Sequence, residues 1–171
     1  MDRLNVGQIT IRPATTEDTP TIGHMWLQLV EYHNALSPDL PHAAPNGAEM
    51  YARRLASRLH DSHTRVLVAE KEDTLVGFVM GVIVDMVPEM FIEETAGFLA
   101  DIYVEPAYRS QGVGRALVDG LSAWFRTRGV QYVEWYVADS NREGWAFWKA
   151  IGGREVITRM RINLDNGAKS E

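Results

Sequence analysis

One stretch constrains the fold of this chain more than any other. It runs Phe98-Leu99-Ala100-Asp101-Ile102-Tyr103-Val104, then Glu105-Pro106-Ala107-Tyr108, then Arg109-Ser110-Gln111-Gly112-Val113-Gly114-Arg115-Ala116-Leu117. The first part is apolar and rich in strand formers, the proline closes it, and the last part starts a helix. A buried strand thus delivers a glycine-bearing turn into a helix. The two glycines let backbone N–H groups approach a bulky anion without interference from Cβ. The helix start adds unpaired donors and the positive end of its dipole. The stretch reads as a pyrophosphate cradle, although a tight strand-to-helix connection uses the same two glycines.

Other phosphate loops are excluded by what is missing. A Walker loop needs Gly-Lys followed by Ser or Thr, whereas Arg115-Ala116 follows Gly114. A dinucleotide fingerprint needs three spaced glycines, and only Gly112 and Gly114 stand here. The formal net charge of −6 argues against a general nucleic-acid binder. Charge is also uneven: no Lys, Arg or His occurs from Glu72 through Tyr108, while Arg109, Arg115, Arg126 and Arg128 follow. A cationic acceptor beside an anionic cofactor suits that distribution, as does a plain solvated acidic surface.

At 171 residues the chain is expected to be one domain, 1–171, with a polar tail over 165–171 expected to be disordered. No apolar run reaches the roughly 18 residues of a membrane span. There is no cysteine, and the opening Met1-Asp2-Arg3-Leu4-Asn5 is unlike a signal peptide, so a cytoplasmic location is expected.

The pattern predicts a short strand at 8–12, then a helix capped by Thr15 or Thr16 and ending near His33. A proline-broken loop follows over Asn34 to Pro45. Asn46 and Glu49 resemble a cap for a second helix bearing Tyr51, Leu55 and Leu59 on one face. Arg65 to Glu70 and Leu75 to Val84 read as a hairpin, and Val87 to Gly97 as a loop. After the central strand at 98–104, the helix from Val113 stops at Gly129. A strand is predicted at Tyr132 to Val137, a helix at Asn141 to Ile151, and a last strand at Glu155 to Leu164. Strand, helix and strand around 98–137 imply a parallel pair, and the hairpin implies an antiparallel part.

Arg109-x-x-Gly112-x-Gly114 behind an apolar strand resembles the acyl-CoA signature of the GNAT superfamily of N-acyltransferases. Asn141 with Ala146-Phe147-Trp148-Lys149-Ala150-Ile151-Gly152-Gly153 is similar to that family's second conserved block. Ile9-Thr10-Ile11-Arg12-Pro13-Ala14 resembles its opening strand. The likeness spans nearly the whole chain and is weak between residues 34 and 64. It implies a single-domain α/β (α+β type) fold. The sheet would be mixed and mostly antiparallel, with a splayed central parallel strand pair and helices on both faces. It also implies acetyl-CoA as cosubstrate without a metal, an amine acceptor, cationic where acidity selects it, and a homodimer. Neither nucleic acid nor membrane is an expected partner.

The same resemblance implies the site. Ile102, Tyr103 and Val104 would offer main-chain partners to pantetheine. Arg109, Ser110, Gln111, Gly112, Val113, Gly114, Arg115 and Ala116 would hold the pyrophosphate, the two arginines through charge-assisted bonds or else simply as surface cations. Asn141 would contact pantetheine or a bound water, or cap its helix.

Acyl transfer requires a neutral amine, a stabilised oxyanion and a departing thiolate. A backbone N–H near Ile102 to Val104 suits the oxyanion. Asp101 is the candidate base, with Asn141 beside it in the catalytic set and Glu94 and Glu134 as weaker alternatives; Asp101 also suits a plain hydrogen bond at a sheet irregularity. Many family members have Tyr where this chain has Trp148, and an indole cannot practically give up its proton. Trp148 therefore orients the thioester or belongs to the core, and Tyr103 or Tyr136 would be the substitute acid if one is needed. The function expected is acetyl transfer to a primary amine of a small molecule, peptide or protein. The alternative is a CoA-binding sensor without turnover.

Overall fold

The computed structural model describes residues 4–85, 90, 92, 94–162 and 164. A six-stranded sheet forms in sequence order. Its strands are β1 (Leu4–Val6), β2 (Ile9–Pro13), β3 (Thr64–Lys71), β4 (Thr74–Asp85), β5 (Thr95–Val104) and β6 (Tyr132–Glu134). All neighbours are antiparallel except β5 and β6, which run parallel. The helices are α1 (Thr19–Leu36), α2 (Gly47–Arg58), α3 (Val113–Thr127) and α4 (Arg142–Ala150).

The two faces of the sheet bury separate cores. Ile22, Met25 and Leu55 of α1 and α2 pack on Val66, Val68, Phe78 and Tyr103. On the other face Leu117, Leu121 and Phe125 of α3 pack on Ile11, Leu67, Val79 and Leu99. Each such fully buried side chain contributes roughly 1.5–3 kcal/mol. Where chain and sheet enter the first helix, Arg12 on β2 forks between Asp18 at 2.7 Å and Glu70 on β3. Asp18 also accepts from the Thr15 amide, closing a capping box.

Several expectations move. β1 is an additional strand, joined to β2 through a two-residue turn in which Gly7 has φ of 61°. Helix α1 runs on to Leu36, and β5 begins at Thr95 rather than Phe98. Asn46 sits at the start of α2 without a side-chain cap. β6 stops at Glu134 instead of Val137.

The last strand does not form. Residues 154–162 lie outside any sheet, with Val156, Ile157, Met160 and Ile162 exposed. An alternating segment becomes a strand only when it hydrogen-bonds to a neighbouring edge, and among the described residues this one pairs with no strand. Most of the acidic run before Thr95, and the tail over 165–171, lie outside the described residues.

Candidate active site

The site is made by one extra residue in β5. Met80 of β4 faces Asp101, but Gly81 faces Leu99, so Ala100 has no partner and forms a bulge. Side chains normally alternate along a strand. Here Leu99 packs toward α3 while Asp101, two residues later, bonds to Tyr51 on α2. The bulge has reversed the alternation and turned a carboxyl to the other face.

Main-chain directions follow from the same register. The Glu105 amide donates to the Val76 carbonyl at 2.9 Å, so Tyr103 and Asp101 pair with β4. Ile102 and Val104 therefore turn their N–H and C=O groups the other way, toward β6. Yet β6 pairs with β5 only at Ala96, Gly97 and Phe98. Beyond Phe98 the parallel strands part, and the groups of Ile102 and Val104 face a gap. One of them is occupied: Arg109 Nε donates to the Val104 carbonyl at 3.0 Å.

At the end of β5 a short turn, Pro106–Tyr108, leads into the loop. Ser110 has φ of 58° and Gly112 of 84°, both left-handed, and Gly112 is the residue before α3. The amide of Ala116 is used inside the helix, donating to the Gly112 carbonyl at 3.0 Å. Among the described residues the amides of Gln111, Gly112, Val113, Gly114 and Arg115 donate to no main-chain carbonyl or capping side chain. No acidic residue lies in the first turn of this 15-residue helix. Free amides at the positive end of a helix dipole form an anion site.

The two glycines have different reasons. Gly112 supplies a left-handed backbone. Gly114 makes room for α4, since a Cβ there would meet the Phe147 ring at 3.2 Å. The arginines of the loop are placed but not idle. Arg115 donates to the Ala150 carbonyl at the end of α4, and the Arg109 guanidinium lies 5.5 Å from the Tyr32 ring centroid and 5.9 Å from that of Tyr103. Gln111 turns its side chain back to the Ala107 carbonyl.

Asp101 is largely buried and accepts from the Tyr51 hydroxyl at 2.9 Å; among the described residues it has no ion-pair partner. Burial raises its pKa above the ordinary carboxylate value, and the Tyr51 bond pulls part of the way back. Tyr51 is held in turn by stacking on Trp26, ring centroids 4.9 Å apart, and by an edge contact with Phe78. Its own pKa rises through burial and the nearby carboxylate, so it stays a donor. Glu94 is exposed and Glu134 half-buried on β6.

Asn141 is both cap and contact. Its side chain accepts from the Gly144 amide at 2.9 Å, and from the Tyr32 hydroxyl of α1 at 3.3 Å. Tyr32 thereby links α1 to the start of α4. Trp148 is 8% exposed and packs on Trp135 with ring centroids 4.4 Å apart. It lines a cavity of about 150 Å³ with Leu99, Val133, Trp135 and Ile151. The Tyr103 hydroxyl turns to Glu105 at 3.4 Å, and Tyr136 is 73% exposed.

Asp101, Ile102, Val104 and the amides of 111–115 are thus gathered along one strand and its exit, whereas Trp148 sits in the core. Sequence reasoning missed Tyr32 and Tyr51, which periodicity marks only as helix positions. Among the described residues no three His, Asp or Glu side chains converge as a metal site.

The model of the Acetyltransferase (GNAT) family matches residues 26–152. A 68-residue segment is 32% identical to glucosamine 6-phosphate N-acetyltransferase of Trypanosoma brucei brucei, covering 40% of this chain and 44% of that protein. Another match, 30% identical over 59 residues, is to thialysine N-epsilon-acetyltransferase of Bos taurus, covering 34% and 35%. The matches span less than half the length of these curated relatives. Among solved structures, a mutant protein from Bacillus halodurans superposes with a TM-score of 0.81 at 20% identity, over 90% of this chain and 98% of that one. An aminoglycoside N-acetyltransferase solved in complex with CoA superposes with a TM-score of 0.66 at 17% identity, over 95% and 98%. At these identities the superpositions show the fold.

Proposed function

The chain belongs to the GNAT acetyltransferase family, and from that membership we propose that it transfers an acetyl group from acetyl-CoA to a primary amine. The observation that carries the proposal is the set of unpaired amides at Gln111 to Arg115, placed beside a gap between parallel strands. The amides hold the diphosphate, and the pantetheine arm enters the gap along Ile102 and Val104. Asn141 offers its side-chain amide to that arm. Arg109 and Arg115 frame the loop and add positive potential.

Neighbouring residues of β5 then address the two substrates. The Ile102 N–H faces the gap, where it stabilises the oxyanion formed when the amine nitrogen bonds to the thioester carbon, an effect worth about 10²- to 10³-fold. Asp101 faces α2, from which side the amine approaches, and takes the proton that the nitrogen loses. The C–S bond breaks and the electron pair leaves on sulfur. Thiols ionise near pH 8.5, so the thiolate departs without a side-chain acid, consistent with an indole at position 148. The acceptor meets Trp26, Tyr51 and Met80 around Asp101, which suits an amine on a small apolar or aromatic carbon frame.

A second reading, a CoA-binding sensor without turnover, is favoured by the burial of Trp148. A thiol-release screen with acetyl-CoA over amino acids, polyamines, aminoglycosides, amino sugars and peptides separates the two. Release with at least one amine is expected. Binding of acetyl-CoA without release from any member of the panel selects the sensor.

A further inference from the structure

A cavity lies against the two strands at the point where they part. Its walls are Leu99 of β5, Val133 of β6 and Trp135 just past it, Val118 and Ser122 of α3, and Trp148 of α4. It measures about 150 Å³, and apart from Ser122 its side chains are aliphatic or aromatic. Packed interiors leave few voids larger than a water molecule, so a space of this size is unusual. An apolar cavity of about this volume stays dry and takes up a small hydrocarbon.

The direction of the candidate site leads into it. The amides of Gln111 to Arg115 follow the C-terminal end of β5. A CoA anchored there lays its arm back along Val104 and then Ile102, and whatever is esterified to its sulfur lies beyond, toward Ala100 and Leu99. There β5 and β6 close again at Phe98 and Glu134, so an acyl chain cannot continue in the plane of the sheet. The bulge decides which face it takes. Asp101 is turned to α2, the side of the amine, while Leu99 is turned to α3, where it is a wall of the cavity.

We propose that this cavity is an acyl-chain pocket. The chain then accepts, from their CoA thioesters, straight acyl groups of roughly three to six carbons as well as acetyl, the size that a dry cavity of this volume holds.

The bonds made and broken are those of acetyl transfer. The amine nitrogen bonds to the acyl carbonyl carbon, its proton passes to Asp101, and the C–S bond breaks with its electron pair on sulfur. The alkyl chain stays on the carbonyl carbon throughout. No Lys, Arg or His lines the cavity, so an acyl group ending in a carboxylate would be buried there unpaired and is disfavoured. The inference rests on the transferase reading for turnover and on the anion site alone for binding.

Calorimetric titration of the full chain with CoA, acetyl-CoA, butyryl-CoA, hexanoyl-CoA and succinyl-CoA reads the pocket without an acceptor. Butyryl-CoA is expected to bind about tenfold more tightly than acetyl-CoA, the worth of two buried methylenes. Succinyl-CoA, also of four acyl carbons, is expected to bind roughly tenfold more weakly than butyryl-CoA. Ser122→Leu fills the cavity from α3 and should erase the butyryl advantage in a protein that still binds CoA. Val133→Ala enlarges it and should raise the affinity for hexanoyl-CoA relative to butyryl-CoA. Equal affinity of the parent chain for acetyl-CoA and butyryl-CoA overturns the pocket. So does a butyryl advantage that Ser122→Leu leaves in place, or a hexanoyl-to-butyryl ratio that Val133→Ala does not move. The transferase reading fails separately, through acyl-CoA binding without thiol release to any amine, and a chain that binds no CoA thioester overturns both.

Discussion

Asp101 has a proton-accepting role open to it because of where Ala100 falls. The bulge moves its carboxyl onto the α2 side, into contact with Tyr51. Asp101→Asn is expected to lower kcat by about 10²- to 10⁴-fold, the usual worth of a positioned base, with CoA affinity unchanged. The acidic limb of kcat/KM should lie above the ordinary carboxylate range, since burial raises this group. Tyr51→Phe removes the bond that favours the charged form, so the limb should move to higher pH; a downward movement contradicts the assignment. The same shift has a stability sign. The folded chain holds this proton to higher pH than the unfolded chain does, so stability falls as pH rises through the folded pKa, and Asp101→Asn should flatten that fall in urea titrations. Trp148→Phe should keep more than a tenth of kcat while costing about 1–3 kcal/mol of stability through the space it opens beside Trp135. Activity abolished in a folded, CoA-binding Trp148→Phe protein would show that the indole takes part in the chemistry.

At the scale of elements, the strand, loop and start of α3 act as one unit. Gly112→Ala meets open space, the nearest atom being Val6 Cγ1 at 3.6 Å, but places an L-residue at φ of 84°. It should cost about 1–2 kcal/mol and, by redirecting the amides, weaken CoA binding at least tenfold in calorimetry. Gly114→Val tests packing instead, since its side chain collides with Phe147; fold stability should fall together with affinity. Much of this unit was legible in the sequence, because strand, proline, glycines and helix periodicity are local signals. The bulge was not, since Phe98-Leu99-Ala100-Asp101-Ile102 reads as one apolar run and only the register with β4 reveals the extra residue. Nor was Tyr51 visible as the partner of Asp101, 50 residues away. The strand expected at 155–164 has a genuine alternating pattern, but pattern alone cannot say whether any edge receives it. β1 escaped notice because three residues carry too little alternation.

At the scale of the molecule, the sheet separates two tasks. The α3 face carries the helix whose first amides are unpaired, the α1 and α2 face carries Asp101 and its aromatic surround, and the gap between β5 and β6 lies in the sheet between them. On the α1 and α2 face Arg12 joins Asp18, at the entry to α1, and Glu70 on β3. Burial would raise the Asp18 pKa, but Arg12 and the Thr15 amide outweigh it and hold the pKa below the ordinary value. The stability it contributes is therefore present above the unfolded carboxylate value and is lost as pH falls through the folded pKa. Asp18→Asn should cost about 3 kcal/mol at neutral pH, as removing one partner of a largely buried pair does, and should make urea unfolding less sensitive to acid.

The account as a whole requires that CoA be held by main-chain amides at the start of α3 and along the parted stretch of β5. An amide-resolved NMR titration with CoA reads those groups one by one. The resonances of Gln111, Gly112, Val113, Gly114 and Arg115 are expected to move most, together with Ile102 and Val104. Saturable binding that leaves all of them in place would contradict it.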